Sequence, residues 1–339
     1  MNRRSPNRPP TLEEVALRAG VGRGTASRVI NGSLQVSEAA RNAVLQAVQD
    51  LGYVPNRAAR SLVTQHTDVV ALVVSESEDR LFGEPFFAQV VRGVSSALAG
   101  TSRQLLLAVD HRDSDRQRLN DYLSKQHVDG VLLLSIHGDD PLPGQLAARG
   151  VPAVLGGRPH SAVTSLPFVD MDNAGGAALA VEHLVAGGRR CVATLTGPLD
   201  MGAGRLRLEG YTSALAGHAL PTLVEHGDFS ENSGRVGARR LLERAPDLDA
   251  IFCASDQMAI GALAELAAAG RRVPEDVAVV GFDDSPTSRH TTPSLTTVHQ
   301  PVEDMGARMV QTLSRMIEHP GDPVEDVVLP THLVVRRSG

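Results

Sequence analysis

The stretch from Thr11 to Leu62 constrains the fold most strongly, because it divides into short helical segments separated by turn signals. Thr11 and Glu14 form a capping box, the pair of side chains that satisfies the free amides at a helix start. Gly20 ends this first helix, and a second helix is predicted over Arg23–Ile30. A third, over Ser37–Leu51, supplies apolar residues that close a small core. The segment is therefore predicted to be a three-helix unit.

The second helix is amphipathic at helical spacing. Its inner face is apolar, while its outer face is small and basic, with Arg23, Gly24, Ser27 and Arg28. Two helices joined by a tight glycine-containing turn, the second basic on its outer face, have the helix-turn-helix layout of DNA-binding proteins. The alternative is an ordinary helical bundle with a solvated arginine face.

Charge is distributed unevenly along the chain. Residues 1–62 contain nine arginines and four acidic residues, a net charge of +5. The net charge of the whole chain is −6, so the remaining residues carry −11. A basic head on an acidic body fits a protein whose head binds a polyanion.

Other patterns exclude whole classes of protein. The two cysteines lie in apolar runs and are predicted to be reduced core thiols, and the scattered histidines lack metal-ligand spacing. Neither a phosphate loop nor a nucleophile elbow occurs, and no cofactor is expected. No apolar run reaches the ~18 residues of a membrane span, and no signal peptide precedes the head, so we expect a cytoplasmic protein without a membrane partner.

From Val69 onward, short apolar strands alternate with helices, a pattern typical of parallel sheets covered by helices on both faces. There are too many units for one sheet, so two α/β subdomains are expected. The helices are predicted at about 86–98, 173–186, 206–215, 233–244, 256–268 and 302–318.

Polar residues follow several predicted strands: Ser135, Gly157-Arg158, Ser255-Asp256 and Asp283-Asp284. Ligands of α/β sheets bind at the carboxyl ends of strands. Carboxylates and an arginine suit vicinal sugar hydroxyls, and aromatic faces cover a pyranose ring. Aromatic residues make up only 3% of the chain, so Phe86, Phe87 and Phe229 in loops or at helix starts are candidate ring contacts, although the first two are also interpretable as core.

The segments TLEEVALRAGV, TASRVING, VS and LGYVPNRAARSL together resemble the LacI family of bacterial repressors, and the resemblance extends over nearly the whole chain. Within that family, VGRGTASRVING and VSESEDRLFGEPFF are most similar to the cellobiose-responsive repressors of actinobacteria.

The resemblance implies roles for the head residues. Arg23, Gly24 and Arg28 occupy positions that face base edges, where arginine suits guanine. Thr25, Ser27 and Asn31 suit phosphate oxygens, whereas Gly22 departs from the usual polar residue. A hinge helix capped by Asn56 is implied to enter the minor groove, with Leu62 as the wedge between bases. The hinge residues implied at the DNA are Asn56, Arg57, Ala59, Arg60 and Leu62.

The resemblance also implies the architecture, an all-α helix-turn-helix head and hinge followed by a two-subdomain α/β effector domain like periplasmic binding proteins. The expected boundaries are a flexible arm at 1–10, the head at 11–54, the hinge and linker at 55–65 and the effector domain at 66–339. The chain would cross three times between subdomain 1 (about 66–164 and 294–323) and subdomain 2 (about 165–293 and 324–339). The chain lacks the C-terminal leucine heptad helix of tetrameric relatives, so a homodimer is expected.

For the effector, the resemblance places Phe86 or Phe87, Arg207, Phe229, Asp283 and Gln300 at contacting positions, with Asp256 nearby. Ser255 replaces an amide-bearing residue of some sugar-responsive relatives and Gly157 replaces a carboxylate. Both changes leave room for a ligand larger than a monosaccharide.

These observations predict a DNA-binding repressor that a sugar inducer, cellobiose or a cello-oligosaccharide, releases from a palindromic operator rich in G and C. The alternatives are a regulator that needs a corepressor and one that answers another sugar. A secreted sugar receptor would need a signal peptide and no basic head. A glycosidase would need paired carboxylates such as Asp283 with Asp256 across the scissile bond.

Overall fold

The computed structural model describes residues 8–30, 33, 35–54, 66–109, 113–124, 127–159 and 165–339, without the side chains of 113–117 and 124. The chain forms two compact units, Met1–Thr67 and Asp68–Gly339. No helix among these described residues is long and apolar enough to cross a membrane.

The first unit contains helices α1 (Leu12–Ala19), α2 (Arg23–Ile30) and α3 (Glu38–Leu51). The predicted capping box is confirmed, since the Thr11 hydroxyl accepts from the Glu14 amide at 3.3 Å and the Glu14 carboxylate accepts from the Thr11 amide at 2.9 Å. Gly20 ends α1 in the left-handed conformation, as predicted. The apolar faces of the three helices meet in a core of Val15, Ala16, Ala26, Val29, Val44 and Ala47.

The second unit contains two six-stranded sheets. The first sheet is parallel throughout, in the order β11-β5-β4-β3-β1-β2. Its strands are β1 (Val69–Val74), β2 (Gln104–Val109), β3 (Gly130–Leu134), β4 (Ala153–Gly156), β5 (Phe168–Met171) and β11 (Val327–Leu329). The helices that accompany it are α4 (Glu78–Gly83), α5 (Pro85–Leu98), α6 (Asp113–Ser124), α7 (Leu142–Ala148) and α12 (Val302–Glu318). We call these elements together lobe 1.

The second sheet has the order β12-β10-β9-β8-β6-β7, and only β12 runs antiparallel to its neighbour. Its strands are β6 (Val192–Thr196), β7 (Leu223–His226), β8 (Ala250–Cys253), β9 (Ala278–Asp283), β10 (Thr296–His299) and β12 (His332–Val334). The helices are α8 (Asn173–Ala186), α9 (Gly202–Gly217), α10 (Glu231–Arg244) and α11 (Asp256–Ala268), with a 3-10 turn at Pro286–Arg289. We call these elements lobe 2.

Both lobes are three-layered, because apolar clusters cover each face of each sheet. The central strands β1, β3 and β8 are buried along nearly their whole length, which is why they read as continuous apolar runs rather than alternating ones.

The chain passes between the lobes three times, but the crossings differ from the predicted boundaries by several residues. The predicted boundaries at about 164, 293 and 323 are wrong in detail, because β5 and β11 lie in the first sheet and β10 lies in the second. Each crossing instead follows the carboxyl end of a strand, after Met171, His299 and Leu329. A completed strand has satisfied its backbone hydrogen bonds before the chain leaves the sheet.

Candidate functional site

A cavity with about 840 Å³ of empty space, part of it open to solvent, lies between the two lobes. Its wall is formed largely where strands of both sheets end, at Leu134, Gly156, Met171 and Asp283. The carboxyl-end position is the usual one for the ligands of α/β folds.

The structure brings ten of the eleven predicted effector residues to this cavity: Phe86, Phe87, Ser135, Gly157, Arg158, Arg207, Phe229, Ser255, Asp283 and Gln300. They come from loops and helix starts that are far apart in the sequence, and parallel strand ends gather them at one edge of each sheet.

Asp256 is the exception, since it is fully buried and does not line the cavity. Its carboxylate accepts from the Thr297 hydroxyl at 2.6 Å and from the Ser285 amide at 2.7 Å. Its own amide donates to Asp283 at 3.4 Å. Asp256 therefore supports the loop after β9 from beneath, where an effector has no access to it.

Arg207 is the central cation of the cavity and is only 5% exposed. Its guanidinium donates to the Asn173 side chain at 2.9 Å and to the Ala254 carbonyl at 2.5 Å. It also stacks on the Phe282 ring at 3.8 Å from the ring centroid and lies 3.7 Å from the Asp283 carboxylate. These contacts fix the guanidinium at the base of the cavity, and burial lowers its pKa.

Asp283 lies beside Arg207 and accepts a hydrogen bond from the Gln300 side chain at 2.6 Å. Burial raises the pKa of Asp283, and the positive charge of Arg207 opposes that rise. The three side chains form a fixed polar wall that offers both donors and acceptors to a ligand with several hydroxyl groups.

Phe229 lies between two arginine side chains, one from each lobe. Its ring centroid is 6.0 Å from the guanidinium carbon of Arg80 in lobe 1 and 5.6 Å from that of Arg207 in lobe 2. The Phe229 carbonyl accepts from the Ser255 hydroxyl at 3.1 Å, and Gly197 leaves space for the ring, since a Cβ there would lie 2.0 Å from it. Phe229 is thus held against the cavity wall by its backbone and by both arginines.

Phe86 and Phe87 form an edge-to-face pair with centroids 5.3 Å apart. Phe87 is 2% exposed and belongs to the core of lobe 1, while Phe86 is half-buried against that core. Phe87 thus lies in the core and Phe86 against it, and both residues also border the cavity.

Backbone strain gathers at this cavity. Ser135 (φ 56°), Phe229 (φ 71°) and Asp283 (φ 122°) all have positive φ, a conformation that favours glycine. Such strain persists only where the surroundings impose it, and it is concentrated at functional sites.

Sequence reasoning missed several polar residues of the wall: Arg80, Glu84, Asp170 and Asn173. Arg80 and Glu84 lie in and just after the short helix α4, which the sequence did not reveal, and pair at 2.7 Å. Asp170 lies within β5 rather than after it, and Asn173 was interpreted only as a helix start. A charged residue inside an apolar strand was the available signal for Asp170.

A second contact between the lobes involves His137, which lies in the loop between β3 and α7. Its ring lies 3.1 Å from the Glu76 carboxylate in lobe 1 and 3.0 Å from the Asp200 carboxylate in lobe 2. The Gly138 amide donates to the Asp200 carbonyl at 2.9 Å. The hydrogen bond to Glu76, followed by that to Asp200, raises the pKa of His137.

In the first unit, α2 presents the predicted DNA-contacting face. Arg23, Gly24 and Arg28 are exposed and Thr25 and Ser27 are half-buried, whereas Ala26 and Val29 lie in the core. Arg23 pairs with Glu13 at 2.9 Å, and the Arg28 side chain donates to the Gly24 carbonyl at 3.3 Å. The remaining predicted DNA residues, Asn31, Asn56, Arg57, Ala59, Arg60 and Leu62, lie outside the described residues.

The burial of Asp256 also bears on the glycosidase alternative. Two carboxylates that hydrolyse a glycosidic bond must flank it, about 5–9.5 Å apart. Asp256 lies behind Asp283 and away from the cavity, so this pair does not flank a bound sugar.

Comparison with known proteins identifies the family to which the chain belongs. Residues 11–56 match the model for bacterial regulatory proteins of the lacI family, and residues 181–339 match a periplasmic binding protein-like domain. The HTH-type transcriptional regulator CelR of Thermobifida fusca is 54% identical over 337 residues, which cover 98% of this chain and 99% of that protein. The chain belongs to the LacI family. LacI-family relatives are transcriptional regulators, so the chain is a DNA-binding regulator rather than an enzyme.

Solved structures of the family have the same fold as this chain. A CelR–cellobiose complex is 52% identical, covers 97% of this chain and 100% of its own, and superposes with a TM-score of 0.78. The lac repressor dimer bound to operator and an anti-inducer is 29% identical, covers 98% and 99%, and has a TM-score of 0.85. The predicted fold class, a helix-turn-helix head with a two-sheet effector domain, is confirmed.

Proposed function

We propose that this protein represses transcription as a homodimer bound to a palindromic operator, and that cellobiose or a short cello-oligosaccharide binds the cavity between the lobes and releases it. The observation that carries the ligand assignment is the cellobiose complex of the 52% identical CelR. The homodimer is supported by the lac repressor dimer on operator. We also propose that it acts in the cytoplasm, because its DNA target lies there.

The cavity supports a sugar of this kind. Arg207, Asp283 and Gln300 form a polar wall that is already internally hydrogen-bonded, and Phe229 and Phe86 supply ring faces. A disaccharide presents hydroxyl groups around its edge and apolar C–H faces above and below its rings, which suits such a mixed wall.

On the DNA side, the proposal assigns Arg23 and Arg28 to base edges and Thr25, Ser27 and Asn31 to phosphates. The exposure of both arginines on α2 supports this assignment. Asn56, Arg57, Ala59, Arg60 and Leu62 are assigned to the hinge at the minor groove. Two-fold symmetry of the dimer requires a two-fold symmetric operator, and arginine at the base edges favours G and C.

The ligand acts through its different affinities for two arrangements of the lobes. A sugar that contacts both lobes stabilises one arrangement at the expense of the other, and the same coupling energy lowers the affinity for DNA. Cellobiose acts as inducer in this scheme. A corepressor would instead stabilise the DNA-binding arrangement.

Isothermal titration calorimetry of the whole protein tests the ligand assignment directly. Cellobiose is expected to bind at one site per chain, and Asp283→Asn, which replaces a carboxyl oxygen of the polar wall beside Arg207 with an NH₂ group, is expected to weaken binding. Wild-type protein that binds glucose or an unrelated disaccharide more tightly than cellobiose would overturn the assignment.

A further inference from the structure

We infer that Asp170 is a specificity-determining residue of the cavity and accepts a hydrogen bond from a hydroxyl group of the bound sugar. This inference rests on the proposed function and extends it to a residue with no role in the assignments above. Asp170 is the third residue of β5, is 3% exposed and borders the cavity.

One oxygen of the Asp170 carboxylate is anchored by the protein. Oδ1 accepts from the Met171 amide at 2.9 Å and from the Asn173 side chain at 2.9 Å. The Asn173 amide is itself fully engaged, since it also donates to the Met171 carbonyl at 3.2 Å and accepts from Arg207 at 2.9 Å. These bonds hold the carboxylate in one orientation.

The other oxygen, Oδ2, is buried and has no hydrogen bond of acceptable geometry among the described residues. The Arg158 backbone amide lies near enough to the carboxylate to lower its pKa, but it makes no bond that meets the distance and angle limits of a hydrogen bond. A buried carboxylate oxygen without a donor is costly, so its retention calls for a donor supplied from elsewhere. In the neighbouring acidic groups of the wall, by contrast, each carboxylate oxygen has a protein donor. Asp283 accepts from Gln300 and from the Asp256 amide, and Glu84 accepts twice from Arg80. Among these three carboxylates, Asp170 is the one with an oxygen that lacks a hydrogen bond from the described residues.

The surroundings select an uncharged donor. Arg158 and Arg207 lie close enough for their positive charges to stabilise the Asp170 carboxylate, and they disfavour a second cation beside it. Burial nevertheless raises the pKa of Asp170 above its ordinary value. A sugar hydroxyl supplies the missing hydrogen bond without adding charge to a site that already holds two guanidinium groups.

The variant Asp170→Asn separates a binding role from a structural one. Asparagine keeps the shape and the anchored carbonyl oxygen, but it turns an NH₂ group toward the cavity in place of the acceptor. Because the substitution removes a buried charge, the ligand-free protein is expected to be as stable as wild type or more so. A hydrogen bond from a neutral donor to a charged acceptor is worth roughly 10- to 100-fold in affinity, and this is the loss expected for cellobiose.

Asp172→Asn is the matched control. Asp172 lies two residues away, caps α8 through the Gly175 amide at 2.9 Å and does not border the cavity. Asparagine caps a helix as well as aspartate, so the control removes the same charge and leaves the site intact.

The test measures cellobiose affinity by calorimetry and thermal stability without ligand for wild type, Asp170→Asn and Asp172→Asn, and then repeats the calorimetry with monodeoxy cellobioses. The inference predicts weaker binding for Asp170→Asn alone, with no loss of stability. It also predicts that one monodeoxy cellobiose, the one that lacks the hydroxyl group contacted by Asp170, binds weakly to wild type. Asp170→Asn should lower the affinity for that sugar only slightly further.

Unchanged affinity in Asp170→Asn would overturn the inference while leaving the sugar assignment standing. An equal loss of affinity in Asp172→Asn, or a parallel loss of stability in Asp170→Asn, would also overturn it. Wild-type protein that binds no cellobiose would overturn the ligand proposal and this inference together.

Discussion

At the scale of single residues, the cavity concentrates charge where a globular protein ordinarily avoids it. Arg207 and Asp170 border the cavity and are more than nine-tenths buried, Asp283 borders it beside Arg207, and Asp256 is buried behind Asp283. Burying an ion costs several kcal/mol unless partners compensate for it. Here the partners are other side chains of the wall, which leaves a rigid polar surface that needs no reorganisation when a polar ligand binds.

Gly197 is the residue that makes room for Phe229. In Gly197→Ala the new Cβ would lie 2.0 Å from the Phe229 ring, so the ring is expected to leave its position between the two arginines. Cellobiose affinity measured by calorimetry should fall by roughly tenfold or more, since a ring contact is worth about 1.5 kcal/mol. Gly144→Ala is the control, because a Cβ at that position meets no atom within 4 Å. Unaltered affinity in Gly197→Ala would argue against a ligand contact by Phe229.

At the scale of secondary-structure elements, the head exposes the face of α2 that is predicted to contact DNA. Arg28 is exposed on α2, and its side chain donates to the Gly24 carbonyl of the same helix at 3.3 Å. Arg28→Ala is expected to weaken operator binding by about 1–3 kcal/mol and to relax the preference at one base pair. Anisotropy with single-base operator variants at fixed salt measures both effects.

The control for that experiment is Arg18→Ala. Arg18 lies on α1 and pairs with Asp50 at 2.9 Å, away from the predicted base-reading residues of α2. Equal losses in both variants, with no change in base preference, would mean that Arg28 contributes only general charge.

The loop after β3 contacts the loop after β6 through His137 and Asp200, and this contact between the lobes is expected to depend on pH. The Glu76 and Asp200 carboxylates raise the pKa of His137, so the folded state holds its proton more tightly than the unfolded state. That stabilisation is present below the unfolded pKa of about 6.5 and disappears as the pH rises through the folded value. The Tm difference between wild type and His137→Asn is therefore expected to be largest near pH 5.5 and to shrink toward pH 8.5.

His290→Asn serves as the control for the pH experiment, since His290 is exposed and directly follows the 3-10 turn of lobe 2. A Tm difference for His137→Asn that is independent of pH would show that the bridge does not depend on a protonated imidazole.

The elements that the sequence predicted well are those with clear ends. Helices Arg23–Ile30, Asn173–Ala186, Asp256–Ala268 and Val302–Glu318 match the structure, and Asp172 and Ser255 cap two of them. The elements missed were short or polar. Helix α6 is predominantly polar, α7 contains Pro143 and Gly144, and the edge strands β7, β11 and β12 have only three or four partly exposed residues.

The cavity residues follow the same logic. Residues directly after buried strands, such as Ser135 and Asp283, were predictable because parallel strands end at one edge. Asp256 shares that position in the sequence, yet its side chain turns into the core of lobe 2 to bind Thr297 and Ser285. The direction of a side chain depends on hydrogen-bond partners that are distant in sequence, which a strand pattern does not reveal.

At the scale of the whole molecule, the chain separates a basic head from an acidic, two-lobed body. In the body, the cavity lies between lobe 1 and lobe 2, and His137 of lobe 1 lies 3.0 Å from the Asp200 carboxylate of lobe 2. In the proposed function, a ligand bound between the lobes changes the balance between their arrangements and the dimer transmits this change to the hinge residues. The free energy of sugar binding is then coupled to that of DNA binding.

The measurement that tests this account most directly is the fluorescence anisotropy of a labelled GC-rich palindromic operator with the whole protein, titrated with cellobiose, other disaccharides and glucose at fixed salt. Salt is held constant because phosphate contacts dominate the affinity for DNA. The account predicts tight binding without sugar and release by cellobiose at concentrations where the other sugars have no effect. Tighter binding on adding cellobiose, or an operator complex that no sugar alters, would contradict it.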